Sequence, residues 1–483
     1  MSAFSDVYQT LTEGRKIKVY EMADFLSITP ATLYQILNGK RKPGSMQIAE
    51  KIVSYLNLSP EESQRLKEAA KRTLAGEEAY WQRKACADFL QTSLHELLPK
   101  ELFGYSGSVP HFQTVEALHA TSQIQKALLT LGAVKTEGCL NLVLPFHCPD
   151  LMLIVQSLSA CTPSLAIRQI AALPRHLDEA RQVTGFFQDL KILLSLYLSF
   201  DEYSALTFGE EENGSMRPFP YFAQSPKGVL LISRTCSEGL LIQNEEAARA
   251  YAGQLEQFIG YCQPVFEKKQ SLAELFAYYA ALQREIGSTL IAYSRQLCCT
   301  PLMTPSLIEN ILNPEIVNEP DFASFGTIQN AVRFLSEYCT AQRKQWQTVG
   351  QALFFFEDGI RAFLETGILY EFPSNLCRPL APAERLEVVE RLIESLNTLP
   401  YKMLRHGSGD VQSGFGMLVS SKHGCLQIRR SDGRLVVLTI RSLKLLSIFR
   451  DYFASLNEEN YYSKEETRNR LLRLLNEYTE RFS

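Results

Sequence analysis

One short stretch, residues 18–43, specifies two short helices, a tight connection between them and a basic turn. In its first part Met22 and Leu26 recur at helical spacing, so one apolar stripe faces inward. Thr29 then occupies an N-cap position, and Pro30 takes the first helical position, where a missing N–H is tolerated. The stretch therefore predicts two consecutive helices that share one apolar core.

The second predicted helix has an apolar face and a polar face. Leu33, Ile36 and Leu37 fall on the apolar face at roughly 100° per residue. The opposite face carries small and amide-bearing side chains, which suit base edges because glutamine pairs with adenine and threonine offers a hydroxyl or a methyl group. The predicted DNA contacts of this face and its cap are Thr29, Ala31, Thr32, Tyr34, Gln35 and Asn38.

A basic turn follows this helix. Gly39 ends the helix, and Lys40, Arg41 and Lys42 supply three adjacent cations. Cations beside a helix that reads a groove are suited to hold phosphates. We therefore expect these three side chains to contact the DNA backbone.

The N-terminal segment resembles the λ-repressor/Cro-like (Xre-type) family of helix-turn-helix proteins, over about residues 8–70. The resemblance implies an all-α DNA-binding domain, transcription regulation, a homodimer and a double-stranded DNA operator. The residues that carry it are Ala23, the Ile28-Thr29 turn, the Thr32-Leu33 pair and the ending Gly39-Lys40-Arg41-x-Pro43.

The segment departs from the family pattern at two places. The family often begins its second helix with Ser or Thr followed by Gln, which contacts the phosphate backbone, whereas this chain has Lys18 and Val19. The family also often has Glu where Leu37 stands. The first departure puts one phosphate contact in doubt, and the second predicts more apolar packing.

Charge distribution confines the expected nucleic-acid affinity to the N-terminal segment. Residues 1–75 hold eleven Lys and Arg against eight Asp and Glu, a balance of +3, while the whole chain carries −4. No signal peptide is visible, and the most apolar window, 139–155, is too short to span a bilayer. Eleven scattered cysteines without C-x-x-C spacing are typical of a reducing compartment. The sequence predicts a cytoplasmic protein without membrane contact.

Beyond residue 75 the pattern predicts a large α/β (α+β) region, because helical and strand-like segments alternate. We expect it to be a non-catalytic sensing and oligomerisation region that responds to a small-molecule or peptide effector. The predicted domains are 1–75 for DNA binding, 76–102 for a helical connector, 103–265 for α/β sensor lobe 1, and 266–483 for a helical insert, α/β sensor lobe 2 and a C-terminal helix.

The two lobes are predicted to be an internal duplication. Three strands and a helix follow one another in each, and an offset of 196 positions aligns Gly228 with Gly424. Shortening the second turn also aligns Gly239 with Gly433. The duplication predicts two similar lobes with a cleft between them; the alternative is two unrelated meanders with similar glycine turns.

Motifs for catalysis are missing from the sequence. It has no G-x-G-x-x-G and no Walker-type loop, and His95 begins a zincin-like pattern in which Pro99 replaces the second histidine. The duplicated layout resembles two-lobed phospholipase-D-like folds, but none of the seven histidines has lysine two residues later. We therefore predict no enzyme, no cofactor and no metal site. The alternative is an enzyme that acts on a small molecule in the interlobe cleft and carries a DNA-binding module.

Three smaller groups are weaker candidates for function. His147, Cys148 and Asp150 follow a strand end, where ligands often bind. The adjacent Cys298 and Cys299 are a candidate redox or metal pair. The run 354–356 of three phenylalanines suits either a pocket wall or ordinary core.

Overall fold

The chain, described by a computed structural model, divides into two compact units. The N-terminal unit comprises Met1–Cys86 and His176–Gly185, and the large unit comprises Ala87–Arg175 and Phe186–Ser483. The predicted connector is described as far as residue 92, and its remainder lies outside the described residues. The described residues are 2–92, 114–132, 138–146, 148–162, 164–173, 180–209, 219–269, 271–283, 290–318, 325–348, 350–405, 414–430 and 433–482.

Helices form the N-terminal unit, and their apolar stripes converge on one core. Phe4, Met22, Leu33, Ile52 and Leu66 are fully buried there. The helices of residues 2–92 are α1 Ala3–Thr12, α2 Val19–Leu26, α3 Pro30–Leu37, α4 Met46–Leu56, α5 Pro60–Ala75 and α6 Glu77–Leu90, whose last residues belong to the large unit.

Two mixed β-sheets form the frame of the large unit, which confirms the predicted α/β (α+β) character of this region. The sheet of lobe 1 has the order β1-β7-β6-β5-β2-β3-β4-β8, and that of lobe 2 has the order β12-β11-β10-β13-β14-β15-β9. The strands are β1 Val115–Leu118, β2 Cys139–Val143, β3 Ala166–Leu173, β4 Tyr203–Gly209, β5 Tyr221–Ser225, β6 Gly228–Ile232, β7 Gly239–Ile242, β8 Gln263–Pro264, β9 Phe266–Lys269, β10 Ile291–Ser294, β11 Ala352–Phe356, β12 Tyr401–Leu404, β13 Gly414–Val419, β14 Gly424–Arg429 and β15 Leu435–Ile440.

Helices connect these strands. None of the described helices is long and apolar enough to cross a lipid bilayer. The helices are α7 Thr121–Gly132, α8 Pro149–Cys161, α9 Ala180–Ser199, α10 Glu245–Ile259, α11 Leu272–Gln283, α12 Pro305–Ile311, α13 Ile328–Trp346, α14 Glu357–Thr366, α15 Pro382–Ser395, α16 Leu443–Ser455 and α17 Lys464–Phe482, with 3-10 turns at Thr300–Leu302 and Pro314–Asn318.

The two sheets repeat one topology. In each, three parallel strands (β2, β3, β4 and β10, β11, β12) lie beside an antiparallel meander of three (β5, β6, β7 and β13, β14, β15). The parallel set joins the meander through the antiparallel pairs β2·β5 and β10·β13. An antiparallel strand, β1 or β9, closes the far side of each meander. This shared order is what an internal duplication predicts.

The glycine alignment holds at one of its two positions. Gly228 and Gly424 both begin the middle strand of their meanders. Gly239, however, pairs with Ile232, whereas Val436 occupies the equivalent position opposite Ile428. Gly433 instead lies before β15 with φ +84°. The alignment of Gly239 with Gly433 is therefore wrong, because the two meanders use turns of different length and the turn sets the register.

Aromatic rings fill the contact between the two lobes. Phe187 of α9 packs against Phe449 of α16 with ring centroids 6.3 Å apart, and Phe89 of α6 lies 5.5 Å from Phe187 and 5.9 Å from Phe449. Phe415 of β13 completes the cluster at 6.3 Å from Phe89. These four residues are named the interlobe aromatic cluster. These ring contacts join elements of the two lobes.

A half-buried lysine also joins the lobes. The ammonium group of Lys268 in β9 donates to the carbonyl oxygens of Tyr197, Phe200 and Asp201 at 3.3, 2.9 and 3.1 Å. Burial lowers the pKa of Lys268. Three carbonyl acceptors satisfy its three donors, so this lysine positions the first strand of lobe 2 against the end of α9.

Replacing Phe449 by Ala should destabilise the large unit by about 3–5 kcal/mol, because the side chain is fully buried in the interlobe aromatic cluster and leaves a cavity. Leu443→Ala is the matched control on the same helix, since Leu443 is 70% exposed and should change stability by less than about 0.5 kcal/mol. Guanidinium unfolding followed through the fluorescence of buried Trp346 measures both. Equal losses of unfolding free energy in the two variants would contradict the packing of Phe449 described above.

Candidate nucleic-acid interface

Two residues connect α2 to the N-cap of α3. Ser27 adopts the left-handed conformation, with φ 57°, and the N–H of Ile28 donates to the carbonyl of Ala23 at 3.1 Å. Thr29 then caps α3, since its hydroxyl oxygen accepts the N–H of Thr32 at 3.2 Å. Local hydrogen bonds at both helix ends thus fix the path of the connection.

The apolar face of α3 lies in the core of the N-terminal unit. Leu33 and Ile36 are buried there beside Met22 and Leu26 of α2. Leu37, the position at which the related family often has Glu, is only 6% exposed and belongs to the same core. Its burial agrees with the predicted apolar packing and fixes the orientation of α3 about its axis.

The polar face of α3 is turned to solvent. Ala31, Tyr34, Gln35 and Asn38 are exposed, as is the cap residue Thr29. The side chains of Gln35 and Asn38 make no hydrogen bond within the part of the chain that the structure describes. Their amide donors and acceptors are consequently available to an external partner.

Thr32 is the predicted contact residue that is half-buried. Its hydroxyl oxygen accepts the hydroxyl proton of Thr29 at 2.9 Å, so the cap orients it. The hydroxyl proton of Thr32 itself is left to donate outward. A change at the cap residue Thr29 should therefore also change the orientation of the Thr32 hydroxyl.

The basic turn is exposed and anchored through its backbone. Gly39 has φ +69°, and a Cβ at this position would lie 2.5 Å from Oγ of Ser5, so glycine is required here. The N–H groups of Lys40 and Arg41 donate to the carbonyl of Gln35 at 2.8 and 3.1 Å. The tight turn projects its cations from the end of α3.

These cations differ from Lys18, the basic residue before α2. Lys40, Arg41 and Lys42 make no ion pair among the described residues. In contrast, Lys18 contacts Glu21 at 2.7 Å, and this hydrogen bond raises the pKa of Lys18. Unpaired charges attract an anion without first breaking an internal contact, so the basic turn is the stronger phosphate-binding candidate.

Lys18 is also the N-cap of α2, and its side chain does not cap that helix. The departure from the Ser/Thr-Gln pattern thus leaves the start of α2 without a side-chain acceptor. Tyr20, the second residue of this helix, is a strongly exposed aromatic that was not among the predicted contact residues. Its position on the polar side of α2 is the sequence feature that could have indicated its exposure.

The smaller candidates lie in the large unit. His147 is outside the described residues, but Cys148 is described, and its Sγ lies 3.4 Å from Sγ of Cys236. Cys299 is buried in the core of lobe 2, as are the three phenylalanines of β11. The contact between Cys148 and Cys236 carries no local sequence signal, because the two positions are 88 residues apart.

Lobe 2 also contains a small cavity of about 40 Å³ beside Glu371, lined mainly by apolar surface. The carboxylate accepts the N–H of Cys299 and both the N–H, at 3.2 Å, and the hydroxyl of Thr300. Burial raises the pKa of Glu371, although these donors act in the opposite direction. The cavity has room for about three water molecules, so it is too small for a larger ligand.

Comparison with known proteins assigns no family. No protein-family model and no curated protein matches the chain. The similar solved structures include TrmBL2, an archaeal chromatin protein whose structure shows a novel mode of DNA binding (10% identity over 54% of this chain and 100% of that one, TM-score 0.22). They also include polyphosphate kinase from Porphyromonas gingivalis, with 8% identity over 70% of this chain and 49% of that one and a TM-score of 0.22. A third is phosphatidylserine synthase from Haemophilus influenzae Rd KW20, with 10% identity over 76% of this chain and 93% of that one and a TM-score of 0.25.

Two of these structures correct one prediction. The sequence analysis predicted a chain that is not an enzyme and a non-catalytic large region. The kinase and the synthase are enzymes, and their similarity to this chain contradicts that prediction, which we do not retain. TM-scores of 0.22 to 0.25 are too low to transfer a reaction, a substrate or a binding mode to this chain.

Replacing Thr29 by Ala should weaken α3 by about 1 kcal/mol, because the cap hydrogen bond to Thr32 is lost. Thr29→Ser keeps the hydroxyl and is the matched control. Hydrogen exchange of the α3 amides in the whole protein measures the effect. Faster exchange in Thr29→Ala alone supports the capping role, and unchanged exchange would contradict it.

Proposed function

We propose that this chain is a sequence-specific DNA-binding transcription regulator whose N-terminal unit acts as an Xre-type helix-turn-helix module. The observation that carries the proposal is the pairing of an exposed polar face on α3 with an exposed, unpaired basic turn at its end. A helix with short polar side chains fits the major groove, where each base pair presents a distinct pattern of donors and acceptors. Adjacent cations supply the sequence-independent part of the affinity.

Individual roles follow from chemistry and position. Gln35 carries a free amide that can pair bidentately with adenine, and Thr32 has an oriented hydroxyl and a methyl group for a neighbouring base. Lys40, Arg41 and Lys42 hold phosphates. The remaining exposed residues of the face, Thr29, Ala31, Tyr34 and Asn38, flank these contacts.

A homodimer is part of the same proposal. An eight-residue helix contacts few base pairs, so one copy has limited specificity. Two copies with their α3 helices about 34 Å apart read two half-sites on successive major grooves. A small-molecule or peptide effector of the large unit then acts by favouring or disfavouring that spacing. Footprinting tests this arrangement, since two protected half-sites one helical turn apart are expected.

Gln35→Ala and Lys42→Ala should weaken DNA binding in different ways. Gln35→Ala should lose about 1–3 kcal/mol on the selected site and relax base preference at one position, because it removes a base contact. Lys42→Ala should weaken selected and random DNA alike and reduce the salt slope by about 1, because it removes a phosphate contact. Titration of labelled duplexes, obtained by selection from random DNA, measures both effects.

Two variants on α5 are the matched controls. Gln64→Ala and Lys71→Ala remove the same side-chain types from exposed positions outside the proposed interface. Both should bind selected DNA like the unmodified protein. If Gln35→Ala lost the same affinity for selected and for random DNA, the base-reading role would be refuted. If Gln64→Ala lost as much affinity for selected DNA as Gln35→Ala does, the proposed interface would be refuted.

A further inference from the structure

Two cysteines that are distant in sequence meet in lobe 1. The Sγ atoms of Cys148 and Cys236 lie 3.4 Å apart, which is thiol–thiol contact distance. Cys148 is the N-cap of α8, and Cys236 lies in the turn between β6 and β7. The pair belongs to the large unit, so the inference below does not rest on the proposed DNA binding.

Hydrogen bonds hold the backbone on both sides of this contact. The carbonyl of Cys148 accepts the N–H groups of Leu151 and Met152 at 3.1 and 3.0 Å as α8 begins. The N–H of Cys236 donates to the carbonyl of Ser233 at 3.0 Å, and its carbonyl accepts the hydroxyl of Thr121 at 3.2 Å. The two thiols therefore face each other from fixed backbone positions.

The turn that carries Cys236 is braced from within. The N–H of Ser233 donates to the carbonyl of Glu238 at 2.9 Å, and the N–H of Glu238 donates to Oγ of Ser233 at 3.1 Å. The hydroxyls of Thr235 and Ser237 lie 2.7 Å apart. These bonds fix the shape of the turn, and the hydrogen bond from the Thr121 hydroxyl to the Cys236 carbonyl ties the turn to α7.

The two sulfur atoms would have to move only a short distance to form a disulfide bond. A disulfide has an S–S length of about 2.05 Å, so the two sulfurs, now 3.4 Å apart, must approach by about 1.4 Å to form one. Cys148 is half-buried and reachable by a small solute, whereas Cys236 is only 8% exposed. The first sulfur can be oxidised from solution, and the second is positioned to react with it.

We propose that Cys148 and Cys236 are a peroxide-oxidised dithiol that closes to an intramolecular disulfide. Cys148 attacks one oxygen of hydrogen peroxide: the S–O bond forms, the O–O bond breaks, and the thiol proton leaves with the hydroxide as water. Cys236 then attacks the sulfenic sulfur: the S–S bond forms, the S–O bond breaks, and its proton leaves with the second hydroxide. Both sulfurs are oxidised by one electron, and one peroxide is reduced to two waters.

The contact between the two reduced thiols lowers the pKa of Cys236 and raises that of Cys148. The order of the two steps follows instead from access, because Cys148 is the more exposed of the two sulfurs. The bond would tie the start of α8 to the β6–β7 turn across 88 positions, so it should raise the midpoint of thermal unfolding reversibly.

The test treats the reduced whole chain with one equivalent of hydrogen peroxide, blocks free thiols by alkylation and maps peptides without reduction. The expected result is a peptide pair linked through Cys148 and Cys236. The number of free thiols should fall from eleven to nine, and dithiothreitol should restore all eleven. Cys262 is the internal control: it is half-buried like Cys148, its sulfur contacts the Phe258 carbonyl at 3.5 Å, and it should stay alkylatable.

Three variants separate oxidation from disulfide closure. Cys148→Ser and Cys236→Ser should each abolish the linked peptide, and Cys262→Ser should form it normally. In Cys236→Ser, Cys148 should be captured as a sulfenic acid by dimedone. Complete alkylation of both Cys148 and Cys236 after peroxide treatment of the folded protein would overturn the proposal. Linkage between chains only would overturn it too.

Discussion

The burial of Leu33, Ile36 and Leu37 fixes α3, and the proposed interface depends on it. A helix of eight residues is unstable alone in water because nucleation fixes several dihedral angles for one hydrogen bond. Packing of its apolar face against α2 supplies the missing stability and sets its rotation about the axis. Once that face is inward, Gln35 and Asn38 face solvent. The site is thus a consequence of core packing.

The large unit follows a different constraint, the repeated strand order of its two sheets. Each meander must pair with a parallel set through one antiparallel junction, β2·β5 or β10·β13. The interlobe aromatic cluster makes a buried contact between helices of the two lobes. Lys268 adds a polar contact whose donors are all satisfied. Both lobes therefore belong to one compact unit.

Sequence reasoning succeeded where the physical cause is local. The Thr29 cap with Pro30 and the glycine ending of α3 were predictable, because each depends on hydrogen bonds within a few residues. It failed at Gly239 and Gly433, since strand register depends on turn length in three dimensions. The meeting of Cys148 with Cys236 was unpredictable for the same reason, because only the folded topology brings them together. Base contacts by α3 remain a prediction.

Binding of the purified protein to genomic DNA fragments, its own promoter region included, across a salt series tests the central claim most directly. We expect tight binding to a few fragments, with affinity falling steeply as salt rises, because the basic turn releases counterions from phosphates. Weak binding without preference among fragments, at every salt concentration, would contradict the assignment of α3 as a sequence-reading helix.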